Sequence, residues 1–399
     1  MTFVNIIEKN NKNDYREIEL LRGFAILAVI LLHSTKDFVY TNNQLIKILF
    51  AAVCAIVLCG VPIFIFISGF LLSLKHENDC KILSFYKKRF KVLLPPFIIF
   101  SFLYIYLYHI LITPFELTLE GLYVILVRVF TATAFYHLWY YGLIAQLYIF
   151  YPFINKIFLK FRSNLFTLLI LSFIIQIIWL IFRIYVFDLI DNYKNLGIIY
   201  VLINVPLQYL FLSYIAYFVL GIYIRENYER IKKIIRERKA NFYLISTMLL
   251  FIIILSYLWI LGTFKYGFFF NIPGEYIALL NVVGSFLYSI IAIFLFKICL
   301  YLRKKRNIYE KILFKFGQYS LGIYLIHAGF LVIIIVVLNI FNVNYNYWYF
   351  YLICFITTAS ISLMIAFLIN FFPYHRFLIG NVRSWDDPKT NIFASLKRS

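Results

Sequence analysis

Residues 18–37 read IELLRGFAILAVILLHSTKD, an apolar run long enough to cross a bilayer that nevertheless carries Glu19, Arg22, His33 and Asp37. At 100° per residue, the eleven-residue step from Arg22 to His33 closes about three turns with roughly 20° left over, so both side chains share one helix face. Asp37 follows one turn beyond His33, and Glu19 lies three residues before Arg22, close to the same stripe. An ionisable group at mid-span costs roughly 2.5 kcal/mol or more and normally faces a cavity or the bundle interior. This face is therefore where the chain's chemistry is expected.

The rest of the sequence agrees with a membrane setting. Of 399 residues, 63% are hydrophobic and only 14% charged, with a mean hydropathy of +0.86. Soluble domains carry about a quarter of their residues charged. Ten apolar windows of about 20 residues occur, near 19–39, 48–74, 92–112, 137–159, 165–187, 201–224, 242–262, 276–301, 319–340 and 348–372. The expected fold is all-α, a polytopic bundle of about ten transmembrane helices around a central cavity. It divides into an N-terminal segment (1–18), a membrane domain (19–372) and a C-terminal tail (373–399). The first eighteen residues are polar, and no small-residue cleavage site follows the apolar run, so the first span is read as retained.

Charge fixes the expected orientation. With an even number of spans and a cytoplasmic N-terminus, the outer connections hold only Lys36, Lys47, Arg128, Arg183, Lys194 and Lys265 among the basic residues, and the net charge of +20 falls on the cytoplasmic side. That is the positive-inside pattern of a cell-membrane protein with both termini cytoplasmic. The basic runs KKRFK (87–91), ERIKKIIRERK (229–239) and RKKRN (303–307) are accounted for by topology and contact with anionic membrane lipids, so no nucleic-acid partner is needed. The five cysteines are odd in number and scattered, without disulfide or metal-ligand spacing.

Along the chain, Gly60, Pro62 and Gly69 are expected to kink or pack a continuous second span. Lys87, Lys88, Arg89 and Lys91 lead into the third span, with Pro95 and Pro96 just inside it, and form a cationic cluster where a polyanionic cytosolic ligand could dock. In the connection 113–136, Thr113, Pro114 and Glu116 have the order of an N-cap, an N1 proline and an N3 acid, which predicts a short interfacial or re-entrant helix. The run HLWYY (137–141) opens the fourth span, with Gln146, Tyr148 and Pro152 beyond it. Its aromatics, Trp139 among them, fit either an interfacial belt or a lined cavity. His327 stands several residues into the ninth span, either bonded to a neighbouring helix or facing the cavity.

Several of these runs together resemble the membrane acyltransferase-3 family: REIELLRGFAILAVILLH (16–33), VPIFIFISGFLL (61–72), FYKKRFKVLLPPF (85–97), HLWYYGLIAQLYIFYP (137–152) and FGQYSLGIYLIH (316–327). They lie in the family's order over about 300 residues. The resemblance implies a ten-helix enzyme, in its form without an extra esterase-like domain. Such an enzyme moves an acyl group, commonly acetyl, from cytosolic acyl-CoA to a hydroxyl of a surface polysaccharide or lipid-linked glycan. It implies His33 as catalytic base and Arg22 as its partner, with acyl-CoA as donor substrate and no bound cofactor or metal. Family members often carry Arg-x-x-Arg before the third span; here Lys88 and Lys91 hold that spacing, with Arg89 between them.

The residue types suit that chemistry. A sugar hydroxyl attacks a thioester well only if its proton is removed in the transition state, and a neutral imidazole with pKa about 6.5 can take it. His33 lies about 20 Å along the helix from Leu20, in the outer half of the membrane. Asp37 is placed either to orient that imidazole or to sit solvated at the helix end. Arg22 reads either as an anchor paired with Glu19 or, with Lys88, Arg89 and Lys91, as a partner for the donor phosphates. The competing expectation is a transporter or flippase of a lipid-linked glycan, with the same ionisable residues lining a pathway.

Overall fold

A computed structural model describes residues 15–73, 82–111, 118–193, 195, 197–266 and 273–380. It is 88% helical, with no strand among the described residues. Ten stretches are long and apolar enough to span a membrane, and each coincides with one of the ten expected windows. In chain order the helices are α1 (Arg16–Thr35), α2 (Gln44–Val57), α3 (Gly60–Ser73), α4 (Ile82–Leu111), α5 (Leu119–Phe130), α6 (Trp139–Lys160), α7 (Leu165–Asp191) and α8 (Ile198–Gln208). There follow α9 (Ile215–Glu226), α10 (Tyr228–Ile234), α11 (Arg238–Tyr266), α12 (Gly274–Lys305), α13 (Ile308–Gln318), α14 (Ser320–Ile340), α15 (Trp348–Ile369) and α16 (His375–Ile379).

The helix that carries Glu19, Arg22 and His33 is also the axis of the bundle. α1 packs against α2, α3, α12, α13, α14 and α15. Its apolar window is 61% buried, against 11% for α11 at the periphery. Between transmembrane helices the driving force is close packing, which favours small residues at the contact. Two helix pairs use glycine in this way. A side chain at Gly69 would enter the Phe218 carbonyl, and one at Gly221 the Phe66 carbonyl, so α3 and α9 meet backbone to backbone. Gly23 and Gly317 do the same for α1 and α13, against Leu313 and Glu19.

Two expected continuous spans are broken. The second divides at Leu58 and Cys59 into α2 and α3, leaving Pro62 in the first turn of α3, where its missing N–H costs no helical hydrogen bond. The sixth, expected over 201–224, stops at Gln208, passes through a 3-10 turn (Phe211–Tyr214) and resumes as α9. Pro206 weakens the last turn of α8. Irregular backbone at membrane depth persists only where protein satisfies its polar groups or where it borders a cavity. Here Gln146 of α6 accepts from the Phe211 N–H (3.1 Å) and Gln176 of α7 accepts from the Ala216 N–H (2.9 Å), while Gln176 donates to Ser285 of α12 (2.9 Å).

The expected start of the interfacial helix at Thr113 lies outside the described residues. The helix that is described, α5, is capped by Thr118, whose hydroxyl accepts from the Gly121 N–H (3.1 Å). Its twelve residues reach about 18 Å, too short to cross a hydrocarbon core of about 30 Å.

The basic runs gather at one end of the bundle, the end at which α1 begins. Three carboxylates buried there bind guanidinium groups: Glu310 holds Arg16 at 2.5 Å, Glu17 holds Arg303 at 2.5 Å, and Glu19 holds Arg22 at 3.3 Å. Tyr228 donates a further hydrogen bond to Glu17. These contacts fasten α1 to α10, α12 and α13.

Candidate active site

At the other end of α1, in its last turn, stands His33, half-buried. Its ring lies between two others, with centroids 5.4 Å from His327 of α14 and 4.9 Å from Tyr136 of the α5–α6 connection. The imidazole therefore points into the bundle. His137, next to Tyr136, brings a third imidazole, 5.1 Å from His327 and nearly perpendicular to it. Three of the chain's six histidines thus meet from positions 33, 137 and 327. Among the described residues no group of three or more His, Cys, Asp or Glu side chains is arranged to hold a metal ion.

The neighbours hold this group rigidly. The Tyr104 hydroxyl donates to the Leu325 carbonyl (2.6 Å) and accepts from the Gly329 N–H (3.1 Å), tying α4 to α14. Its ring stacks on Phe135 at 4.4 Å. Tyr324 donates to the backbone carbonyl of His137. His327 Nδ1 donates to the Tyr324 carbonyl (2.7 Å), so the hydrogen bond of this histidine stays within its own helix. Because a carbonyl only accepts, that bond fixes the proton on Nδ1 and leaves Nε2 as the lone pair.

Asp37 does not complete a pair with His33. The α-helix ends at Thr35 and a 3-10 turn (Lys36–Tyr40) follows, which carries Asp37 off the His33 face. No hydrogen bond joins the two; Asp37 instead lies within electrostatic reach of Tyr136, Tyr351 and Cys354. The Lys36 ammonium sits over the Tyr136 ring, 4.4 Å from its centroid.

Beside Tyr136 opens a cavity of about 380 Å³, walled by Thr133, Trp139, Gln208, Tyr209 and Tyr214 among others. Its far wall is the broken segment between α8 and α9, the irregular backbone that Gln146 supports. Trp139 faces Tyr209 at 6.0 Å and Tyr214 at 6.2 Å across it. Among the described residues no charged side chain lines this space.

Toward the basic end the site continues as a file of aromatic rings. Tyr324 lies 5.3 Å from Tyr140 of α6, which is within electrostatic reach of Arg22 and Tyr148. The Arg89 guanidinium is 5.4 Å from the Tyr148 ring centroid and 5.5 Å from that of Phe85. Lys88 and Lys91, one and two residues out of phase with this face of α4, are exposed. Arg22 is half-buried and bonded through one guanidinium nitrogen to Glu19.

The structure thus links His33, His327, Tyr148 and Arg89 through a succession of ring and electrostatic contacts, sets Trp139 in the wall of the cavity beside them, and leaves Asp37, Lys88 and Lys91 outside that succession. Three participants were not singled out from sequence: Tyr136, His137 and Tyr324. His137 opens the HLWYY run, and a histidine at the head of an aromatic run is the available signal. Nothing local shows that His137 and Tyr141 are buried inside the bundle, as they are, rather than in an interfacial belt.

A bundle of ten apolar helices, with imidazoles converging at one end of its central helix and arginines at the other, defines the class as a multi-pass membrane protein. A family model described as an acyltransferase domain, that of the acyltransferase-3 family, matches residues 15–367. The chain belongs to that family and is a membrane acyltransferase. No curated protein and no solved structure matches it.

Proposed function

We propose that the protein transfers an acyl group, acetyl in the simplest case, from acyl-CoA to a hydroxyl of a surface polysaccharide or lipid-linked glycan, with His33 as general base. The observation that carries this reading is the position of His33: inside the bundle, in ring contact with His327 and Tyr136, with the uncharged cavity on one side and the tyrosine file leading to Arg22 and Arg89 on the other. Acyl transfer needs such a two-sided base, because donor and acceptor must meet at one atom.

The donor enters at the basic end. Arg22 and Arg89 meet its phosphates, with Lys88 and Lys91 contributing charge from outside, and the thioester arm crosses the roughly 16 Å from Arg22 to His33 along α1. The acceptor enters at the opposite end and rests its ring on Trp139, as sugar rings rest on aromatic faces. His33 removes the hydroxyl proton as oxygen attacks the thioester carbon. His327, whose Nε2 lone pair has no partner, steadies the imidazolium in the place a carboxylate occupies in hydrolytic triads.

The test is transfer of isotopically labelled acetyl from acetyl-CoA to glycan in membranes holding wild-type, His33→Ala or Arg22→Ala protein at equal abundance. Loss of at least about 10²-fold in His33→Ala is expected. Full activity in both variants refutes the assignment. Glycan movement without acetyl incorporation would identify a transporter instead.

A further inference from the structure

His137 is buried to 1% exposure, and neither of its ring nitrogens has a hydrogen-bond partner. A neutral imidazole always presents one N–H and one lone pair. Burying a donor unmet is costly, and a fold keeps that cost where function requires it. The ring is also closely packed. Tyr104 packs edge-on at 5.1 Å, Tyr324 lies at 5.3 Å, and Tyr324 holds the residue's own carbonyl. Its neighbour His327 cannot serve as a donor in the neutral state, since its one proton is committed to the Tyr324 carbonyl.

In acyl transfer the acceptor oxygen bonds to the acyl carbon and the carbonyl π pair moves onto oxygen. The hydroxyl proton passes to His33. When the oxyanion's electrons return to carbon, the C–S bond breaks and the thiolate leaves with that proton as the CoA thiol. His33 accounts for the proton, but a base does nothing to stabilise the oxyanion. We infer that His137 is a second catalytic residue, its unpaired N–H donating to the acyl oxygen as negative charge develops there. A donor fixed in a water-poor site and aimed where charge appears is worth about 10²–10³ in kcat. This inference rests on the acyl-transfer reading but not on His33 being its base.

The two roles separate with an acceptor that needs no base. Hydroxylamine attacks acetyl-CoA through a neutral nitrogen and loses its proton afterwards, giving acetohydroxamate. Purified His33→Ala protein is expected to regain much of its rate above background with hydroxylamine. His137→Ala is expected to stay about 10²-fold or more below wild type with both glycan and hydroxylamine, with the KM for acetyl-CoA little changed. His137→Gln, which returns an N–H, should recover at least tenfold over His137→Ala; thermal stability of each variant shows whether it is folded. Wild-type rates in His137→Ala, rescue of His137→Ala by hydroxylamine, or equal loss in folded His137→Gln and His137→Ala would each overturn the inference. Full glycan transfer by His33→Ala would instead overturn the base assignment and leave the His137 result to be judged separately.

Discussion

The break between α8 and α9 makes a quantitative test of how the cavity wall is held. Gln176 is fully buried and makes two bonds, accepting from the Ala216 N–H at 2.9 Å and donating to Ser285 Oγ at 2.9 Å. Gln176→Leu keeps most of the volume and removes both. Ser285 still donates to the Asn281 carbonyl at 2.8 Å, so it loses only an incoming bond. The Ala216 N–H, in the first turn of α9, has no helical acceptor and becomes an orphan buried donor, at about 1–3 kcal/mol. Gln146→Leu costs less: Gln146 is half-buried, its bond to Phe211 N–H is 3.1 Å and its contact to the Pro206 carbonyl is 3.5 Å. Side-chain hydrogen bonds between membrane helices average about 0.6 kcal/mol, and that is the figure expected for Gln146. Gln176→Leu should therefore lower the midpoint of thermal aggregation in detergent clearly more than Gln146→Leu. Gln146→Leu, which loosens the stretch nearest Gln208 and Tyr209, should raise the acceptor KM more than it changes that of acetyl-CoA. Equal or reversed thermal ranking would refute the idea that the two glutamines replace lost helical bonds.

Three further outcomes follow from single contacts. Gly221→Leu would drive a side chain into the Phe66 carbonyl and should abolish accumulation of folded protein in membranes, while Gly197→Ala, with open space around it but a backbone (φ 55°, ψ −112°) outside the αL well, should cost about 1–3 kcal/mol and leave protein detectable by immunoblot. Arg303→Gln leaves the buried Glu17 carboxylate with Tyr228 alone; because Arg303 is itself about a third exposed, the loss should fall below the 3–5 kcal/mol of a fully buried pair, and adding Glu17→Gln should restore part of the thermal midpoint. Arg89→Ala should raise the KM for acetyl-CoA more than Lys88→Ala or Lys91→Ala, since only Arg89 turns onto the Tyr148 and Phe85 rings; equal effects of the three would mean that charge density alone recruits the donor.

The pairing of His33 shows how far local periodicity reaches. Counting turns placed Arg22 and His33 on one face, and α1 is helical from one to the other. The same count extended one turn further offers Asp37 either as an orienting partner of the imidazole or as a solvated helix-end acid, and it applies only while the helix does. The 3-10 turn at Lys36 changes the angular step, and the partner of His33 becomes a residue almost three hundred positions away. The break at Gln208 was missed for a related reason. Pro206 alone is compatible with a continuous helix; what permits the interruption is Gln146 and Gln176 on other helices.

By itself the sequence determined the membrane class, the ten spans, the family resemblance and the polar face of α1, all of which depend on transfer of apolar side chains from water and on residue spacing along a short stretch of chain. Only the tertiary structure decided that the rings of His33, His137 and His327 come together, that Arg89 rather than its lysine neighbours turns inward, and that a broken helix walls the cavity. Those are contacts between residues far apart in the chain, set by backbone approach at glycines such as Gly69 and Gly221 and by hydrogen bonds between helices. Hydropathy and periodicity, which sum over neighbours in sequence, contain no term for them.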